Sequence, residues 1–88
     1  MGKHVVYMDR RAEREFSRLP SGVRARFFEV FDRLAEDPFR PRPGCDIRTL
    51  RGTKGARAVR VGPWRGVYVV IDGAILFTLF DLRKRAYA

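Results

Sequence analysis

The chain is short of the residues from which most enzyme machinery is built. Cys45 is the only cysteine and His4 the only histidine, so a disulfide framework, a Cys/His zinc site and a histidine-based triad all lack parts. No Gly-rich phosphate loop runs into Lys-Ser/Thr. The longest apolar stretches, Val67 to Ile71 and Ala74 to Phe80 with Thr78 inside, fall far short of the roughly 20 residues a membrane helix needs. The short apolar run after Met1-Gly2-Lys3-His4 is too brief for a signal peptide. These absences predict a cytoplasmic protein in a reducing compartment, without membrane association, metal or other cofactor. His4 reads as a surface or edge residue.

Acidic residues are scarce in one half only. Residues 1 to 47 carry ten Lys/Arg and eight Asp/Glu, whereas residues 48 to 88 carry nine Lys/Arg and only Asp72 and Asp81, so most of the +9 net charge belongs to the second half. Arginine outnumbers lysine 16 to 3, and its planar fork suits bidentate phosphate contacts. At 88 residues and 45% hydrophobic, the chain supports one domain over residues 1–88 with a modest core.

Periodicity predicts an α+β fold. His4-Val-Val-Tyr-Met8 is a short β-type run. Asp9 is placed to cap a helix in which Ala12, Phe16 and Leu19 form one stripe, and Pro20 and Gly22 stop it. Ser21 can cap a second helix with Val23, Phe27, Val30, Phe31 and Leu34 on one side, ending at Asp37-Pro38. The acids of these helices, Glu13, Glu15 and Glu36 among them, read as solvated. A Pro-rich connector follows. Ile47 to Leu50, Ala56 to Val61, Gly66 to Ile71 and Ala74 to Phe80 then read as strands, the last two joined by Asp72-Gly73, a strong type I′ hairpin signal. The expected architecture is an antiparallel helical hairpin on one face of a mainly antiparallel, four- to five-stranded twisted sheet.

With a two-residue Asp72-Gly73 loop, Tyr68, Val70, Ile75, Phe77 and Leu79 should face the helices. Arg65, Val67, Val69 and Phe80 should share the other face with Ala58 and Arg60. That face would gather guanidinium groups, with Trp64 in a hairpin loop beside it. Arg57, Arg60, Arg65, Arg83, Lys84 and Arg85, interleaved with Trp64, Tyr68, Phe80 and Tyr87, suit RNA: cations track phosphates and rings stack on unpaired bases.

Several strings resemble the RelE/ParE superfamily of bacterial and archaeal toxin proteins. They are Arg11-Ala-Glu-Arg-Glu-Phe16 before a Leu-Pro turn, Arg33-Leu-Ala-Glu-Asp-Pro38, Leu50-Arg-Gly52, Arg60-Val-Gly-Pro-Trp-Arg65 and Arg83-Lys-Arg-Ala-Tyr87, in family order over residues 4 to 87. The resemblance to the RelE-like branch implies a toxin of a type II toxin-antitoxin system, a ribosome-dependent mRNA endonuclease acting in the A site. It implies catalytic roles for Arg60, Arg65, Arg83 and Tyr87, and contacts to RNA or ribosome from Arg48, Arg51, Lys54, Arg57, Trp64, Lys84 and Arg85. Arg65 also fits a plain strand-end position, and Tyr87 a packing one. One departure is Ala58, where RelE-like members often carry lysine. Implied partners are A-site mRNA, the ribosome and its rRNA, and a cognate acidic amphipathic antitoxin that covers the cationic face and an apolar strip of Val67, Val69 and Phe80. The alternatives are a ParE-like inhibitor of DNA gyrase and a non-catalytic RNA- or ribosome-binding domain.

Overall fold

A computed structural model of the chain describes residues 3–82. In chain order its elements are β1 (Val5–Met8), α1 (Arg10–Ser17), α2 (Ser21–Glu36), β2 (Asp46–Thr49), β3 (Arg57–Val61), β4 (Trp64–Ile71) and β5 (Ala74–Leu82). The strands form one sheet of order β1-β5-β4-β3-β2. β2 to β5 make an antiparallel meander, and β1 pairs in parallel with β5. The helical hairpin carries the chain from one edge of the sheet to the other, so one face lies under α1 and α2, as the apolar stripes require.

Local chemistry sets the helix ends. The Asp9 carboxylate accepts the Ala12 N–H at 2.8 Å, capping α1. Ser21 does not cap α2: Pro20 occupies that position, its carbonyl accepting from the Val23 and Arg24 N–H groups, and Ser21 is already helical. Proline's fixed φ leads the chain directly into the first turn. Two arginines close the other ends. Arg24 donates to the Ser17 and Leu19 carbonyls behind α1. Arg42 donates to those of Arg33, Asp37 and Arg40 where α2 stops, satisfying acceptors that a helix end leaves open.

The β4–β5 hairpin begins as expected and then departs. Asp72 and Gly73 have φ of 48° and 80°, the two positive values of a type I′ turn. From Ile71 opposite Ala74 to Tyr68 opposite Phe77 the register follows the two-residue loop; beyond it Val67 faces Leu79, leaving Thr78 as an extra residue. This bulge reverses the remaining alternation. Phe80, expected on the far face, turns under the helices and is 4% exposed, while Leu79 leaves the core.

The inward turn of Phe80 organises the core. Its ring lies 5.0 Å from both Phe16 and Phe77 and 5.3 Å from Phe27. The Phe80 N–H is accepted by Glu15 Oε1 at 3.0 Å, and Glu15 Oε2 accepts from Arg11 at 3.1 Å. Glu15 is therefore a strap from α1 to the bulged strand, not a solvated acid: its helix packs on β5, bringing the carboxylate to a backbone donor. Opposite Phe80 stands Gly66, where a Cβ would come within 2.8 Å of both the Phe77 and Phe80 rings. Glycine is needed there for close approach. Gly66→Ala should destabilise the protein by about 1–3 kcal/mol through overpacking, read as a lower midpoint in urea with an unchanged slope.

Candidate nucleic-acid interface

Strand alternation and the bulge together write a row of charge across the helix-free face. Asp46 on β2 stands opposite Arg60 on β3, Arg60 opposite Arg65 on β4, and Arg65 opposite Asp81 on β5. Like charges directly opposite one another repel, and a carboxylate at each end of the arginine pair offsets that cost. The contact at one end is direct: Arg60 Nη2 lies 2.9 Å from Asp46 Oδ2, both side chains half-exposed. Asp46 Oδ1 also lies 3.7 Å from Arg48 Nε.

The other residues expected at the interface divide by position. Arg48 is exposed and stands opposite Ala58, so a cation occupies the strand beside the one that lacks it. Arg51 and Lys54 are exposed in the β2–β3 connection. Arg57 is paired with Tyr68 on the helix side and holds its guanidinium 4.8 Å above the Phe39 ring, away from Arg60. Trp64 is not in a loop; it begins β4, packs partly against the core and lines a cleft of about 300 Å³ with Glu15, Arg18, Leu19, Phe80 and Asp81. A two-residue Gly62-Pro63 turn leaves it opposite Val61. Arg83, Lys84, Arg85 and Tyr87 lie outside the described residues.

Two of the aromatics interleaved with the cations are core residues, Tyr68 on the helix side as the alternation predicts and Phe80 against it. Phe80 is buried by the bulge, and Tyr68 is fully buried, its hydroxyl donating to the Pro38 carbonyl at 2.8 Å. Burial pushes the Tyr68 phenol well above its usual range, so it serves as a neutral donor tying β4 to the connector. The same connector is ordered by Asp37, whose carboxylate accepts from the Phe39 and Arg40 N–H groups and is held below its ordinary pKa chiefly by the Phe39 bond. Cys45 is buried, which pushes its thiol up, away from the reactive thiolate.

Asp46 is the interface residue that the sequence pattern missed. It belongs by position to the charge-balanced half of the chain, and the β2–β3 connection is too long to fix a register from the sequence. The apolar part of the face also differs from the expected strip. Val67 is buried, whereas Val5, Tyr7 and Ile71 are each 53% exposed and lie on that face by register. Among the described residues no three His, Cys, Asp or Glu side chains are grouped to hold a metal ion, and no helix is long and apolar enough to cross a membrane.

Fold and face together define a small α+β protein that presents two adjacent guanidinium groups on a bare sheet surface, an arrangement suited to polyanions. No family model matches the sequence. The RelE1 toxin sequence of Methanocaldococcus jannaschii is 30% identical over 87 residues, covering 97% of this chain and 96% of that protein. Among solved structures, RelE of the archaeal RelE-RelB complex from Pyrococcus horikoshii has a TM-score of 0.79 at 28% identity, covering 94% of this chain and 98% of that one. The RelBE2 toxin-antitoxin complex of Mycobacterium tuberculosis gives 0.78 at 25% identity, with 94% of each chain covered. The chain belongs to the RelE-like toxin superfamily.

Tyr68 lies in the core and the half-buried Arg60–Arg65 pair on the opposite face, so substitutions at them should act separately. Tyr68→Phe should lower stability by about 1 kcal/mol through the lost hydroxyl bond, measured by urea unfolding. It should leave affinity for a single-stranded RNA oligonucleotide unchanged in filter binding.

Proposed function

We propose that residues 1–88 act as one toxin domain of a type II toxin-antitoxin system, a cytoplasmic ribosome-dependent endoribonuclease that cuts mRNA in the A site and so inhibits translation. The observation that carries this reading is the Arg60–Arg65 pair, side by side on the face that the helices leave bare, in a chain of RelE-like family. Neighbouring strands stand about 4.8 Å apart, a spacing at which one phosphate would bridge the two side chains.

The chemistry this equipment fits is attack of a ribose 2′-hydroxyl on the adjacent phosphorus. The 2′-oxygen forms a bond to phosphorus, the bond to the 5′-oxygen breaks, and the products are a 2′,3′-cyclic phosphate and a 5′-hydroxyl. Arg60 and Arg65 would hold the phosphate and the charge that builds on the pentavalent phosphorane. Arg83 would stand at the leaving oxygen, and Tyr87 would stack on or orient the attacking nucleotide. Guanidinium groups stay protonated at neutral pH and a phenol holds its proton there, so neither is well matched to proton transfer. With proton transfer so weakly supported, in-line alignment has to supply more of the rate, and the A site, which can splay the mRNA, would be a suitable source. No step in this scheme calls on a metal ion.

Arg48, Arg51, Lys54, Lys84 and Arg85 would contact RNA or rRNA phosphates, and Trp64 a base or rRNA at the sheet's end. Arg57, engaged with Phe39, would lie at the margin. The P. horikoshii structure is a RelE-RelB complex and the M. tuberculosis one a toxin-antitoxin complex, which supports a cognate antitoxin here. Its wrapping segment would be acidic and amphipathic, meeting Arg48, Arg60 and Arg65 and the exposed Val5, Tyr7 and Ile71.

A second reading, gyrase inhibition or RNA binding without cleavage, draws on the absent cation at Ala58 and on the engagement of Arg60 by Asp46. Ribosomes programmed with a defined mRNA separate the readings. Cleavage should fall in the A-site codon, leave a 2′,3′-cyclic phosphate, and stop when the nucleotide 5′ to the cut is 2′-deoxy. Products ending in 3′-hydroxyl and 5′-phosphate would contradict the mechanism. Intact mRNA together with inhibited gyrase supercoiling would favour the second reading.

A further inference from the structure

Asp46 does not belong to the phosphate chemistry just described, yet it touches the residue most central to it. Its Oδ2 lies 2.9 Å from Arg60 Nη2 in an ion pair, and its Oδ1 lies 3.7 Å from Arg48 Nε. A carboxylate held against a guanidinium competes with a phosphate oxygen for the same cation. The pair is half-exposed, where ion pairs are weak enough for a competing anion to displace them. Space and alternative cations lie beside it: a cleft of about 260 Å³, whose charged lining is Arg26, Arg33 and Arg60 with Glu29 and Asp46, opens between α2 and the β2–β3 edge. A displaced Asp46 side chain can turn toward Arg48 or into that cleft without being left as an isolated charge.

We infer that Asp46 is an internal phosphate surrogate, holding Arg60 in position in the free protein and giving it up to RNA by exchange of carboxylate for phosphate. This rests on the reading of Arg60 as a phosphate contact. The exchange has two consequences. Arg60 is kept in place across the sheet before RNA arrives, so its alignment beside Arg65 costs little at binding. RNA that is not already aligned must compete with a tethered carboxylate, which restrains binding to free transcripts.

The exchange has a signature that a merely structural role for Asp46 would not produce. Arg60 in the native protein already has a fixed counter-charge, so its contact with phosphate releases fewer salt ions than a free arginine would. Asp46→Asn keeps the side chain's shape and removes the charge. It should bind a short single-stranded RNA oligonucleotide about two- to fivefold more tightly at low salt. It should also steepen the dependence of log K on log salt by up to about 0.7, the value for one further single-strand phosphate contact. Both effects should vanish when Asp46→Asn is combined with Arg60→Ala. Asp46→Ser, compared after its fold is checked by circular dichroism, should behave like Asp46→Asn.

Equal or weaker binding with an unchanged salt slope in folded Asp46→Asn and Asp46→Ser would overturn the inference while leaving Arg60 as a phosphate contact, provided Arg60→Ala alone still weakens binding. The same gain from Asp46→Asn in the Arg60→Ala background would overturn it too, since the carboxylate would then be acting through general charge. If Arg60→Ala alone leaves binding unchanged, the functional reading of Arg60 falls and the inference falls with it. That result is distinct from the first two.

Discussion

The arrangement of the sheet turns on one extra residue, Thr78, in β5. Without it, strict alternation would send Phe80 to the bare face and Asp81 under the helices. With it, Phe80 joins Phe16, Phe27 and Phe77 in the core, and Asp81 comes to stand opposite Arg65. The bulge is held from two sides: Glu15 accepts the Phe80 N–H, and Gly66 leaves room for the two stacked rings. A core constraint thus decides which charges meet outside. The row Asp46, Arg60, Arg65, Asp81 is complete only because β5 slips by one residue beyond Phe77.

Where the sequence carries a strong period, its structure was legible. The α2 stripe, the Asp9 cap and the Asp72-Gly73 turn each have a local physical cause and stand where the pattern puts them, while in the first stripe Ala12 and Phe16 lie on α1 and Leu19 is buried just past its end. The bulge was not legible, because Ala74 to Phe80 is apolar on both alternating sets except at Thr78. Alternation fixes a register only when one face is polar. Gly-Pro-Trp reads as turn chemistry and so suggests a loop for Trp64, whereas the turn is two residues long and ends before it.

Charge proved harder to place than hydrophobicity. The excess of arginine in the second half pointed to a cationic face, yet Asp46 from the first half pairs on that face with Arg60. Arg57 reaches the opposite side to cover Phe39, and Arg24 and Arg42, from the first half, serve helix ends. Position along the chain records nothing of these destinations, since pairing partners come from register and from loops of unconstrained length. What survives is narrower than a basic patch: two arginines held adjacent by strand pairing and flanked by acids.

In the proposed reading such a pair serves charge stabilisation at one phosphate more than general affinity for RNA, because the flanking carboxylates offset the long-range attraction of the row. The measurement that bears most directly on this claim is a double-mutant cycle in programmed-ribosome cleavage, comparing Arg60→Ala, Arg65→Ala and the double variant under single-turnover conditions. If both guanidinium groups act on one transition state, either single substitution should slow cleavage nearly as much as the two together. Effects that simply multiply, or single variants that cut at the native rate, would contradict the account.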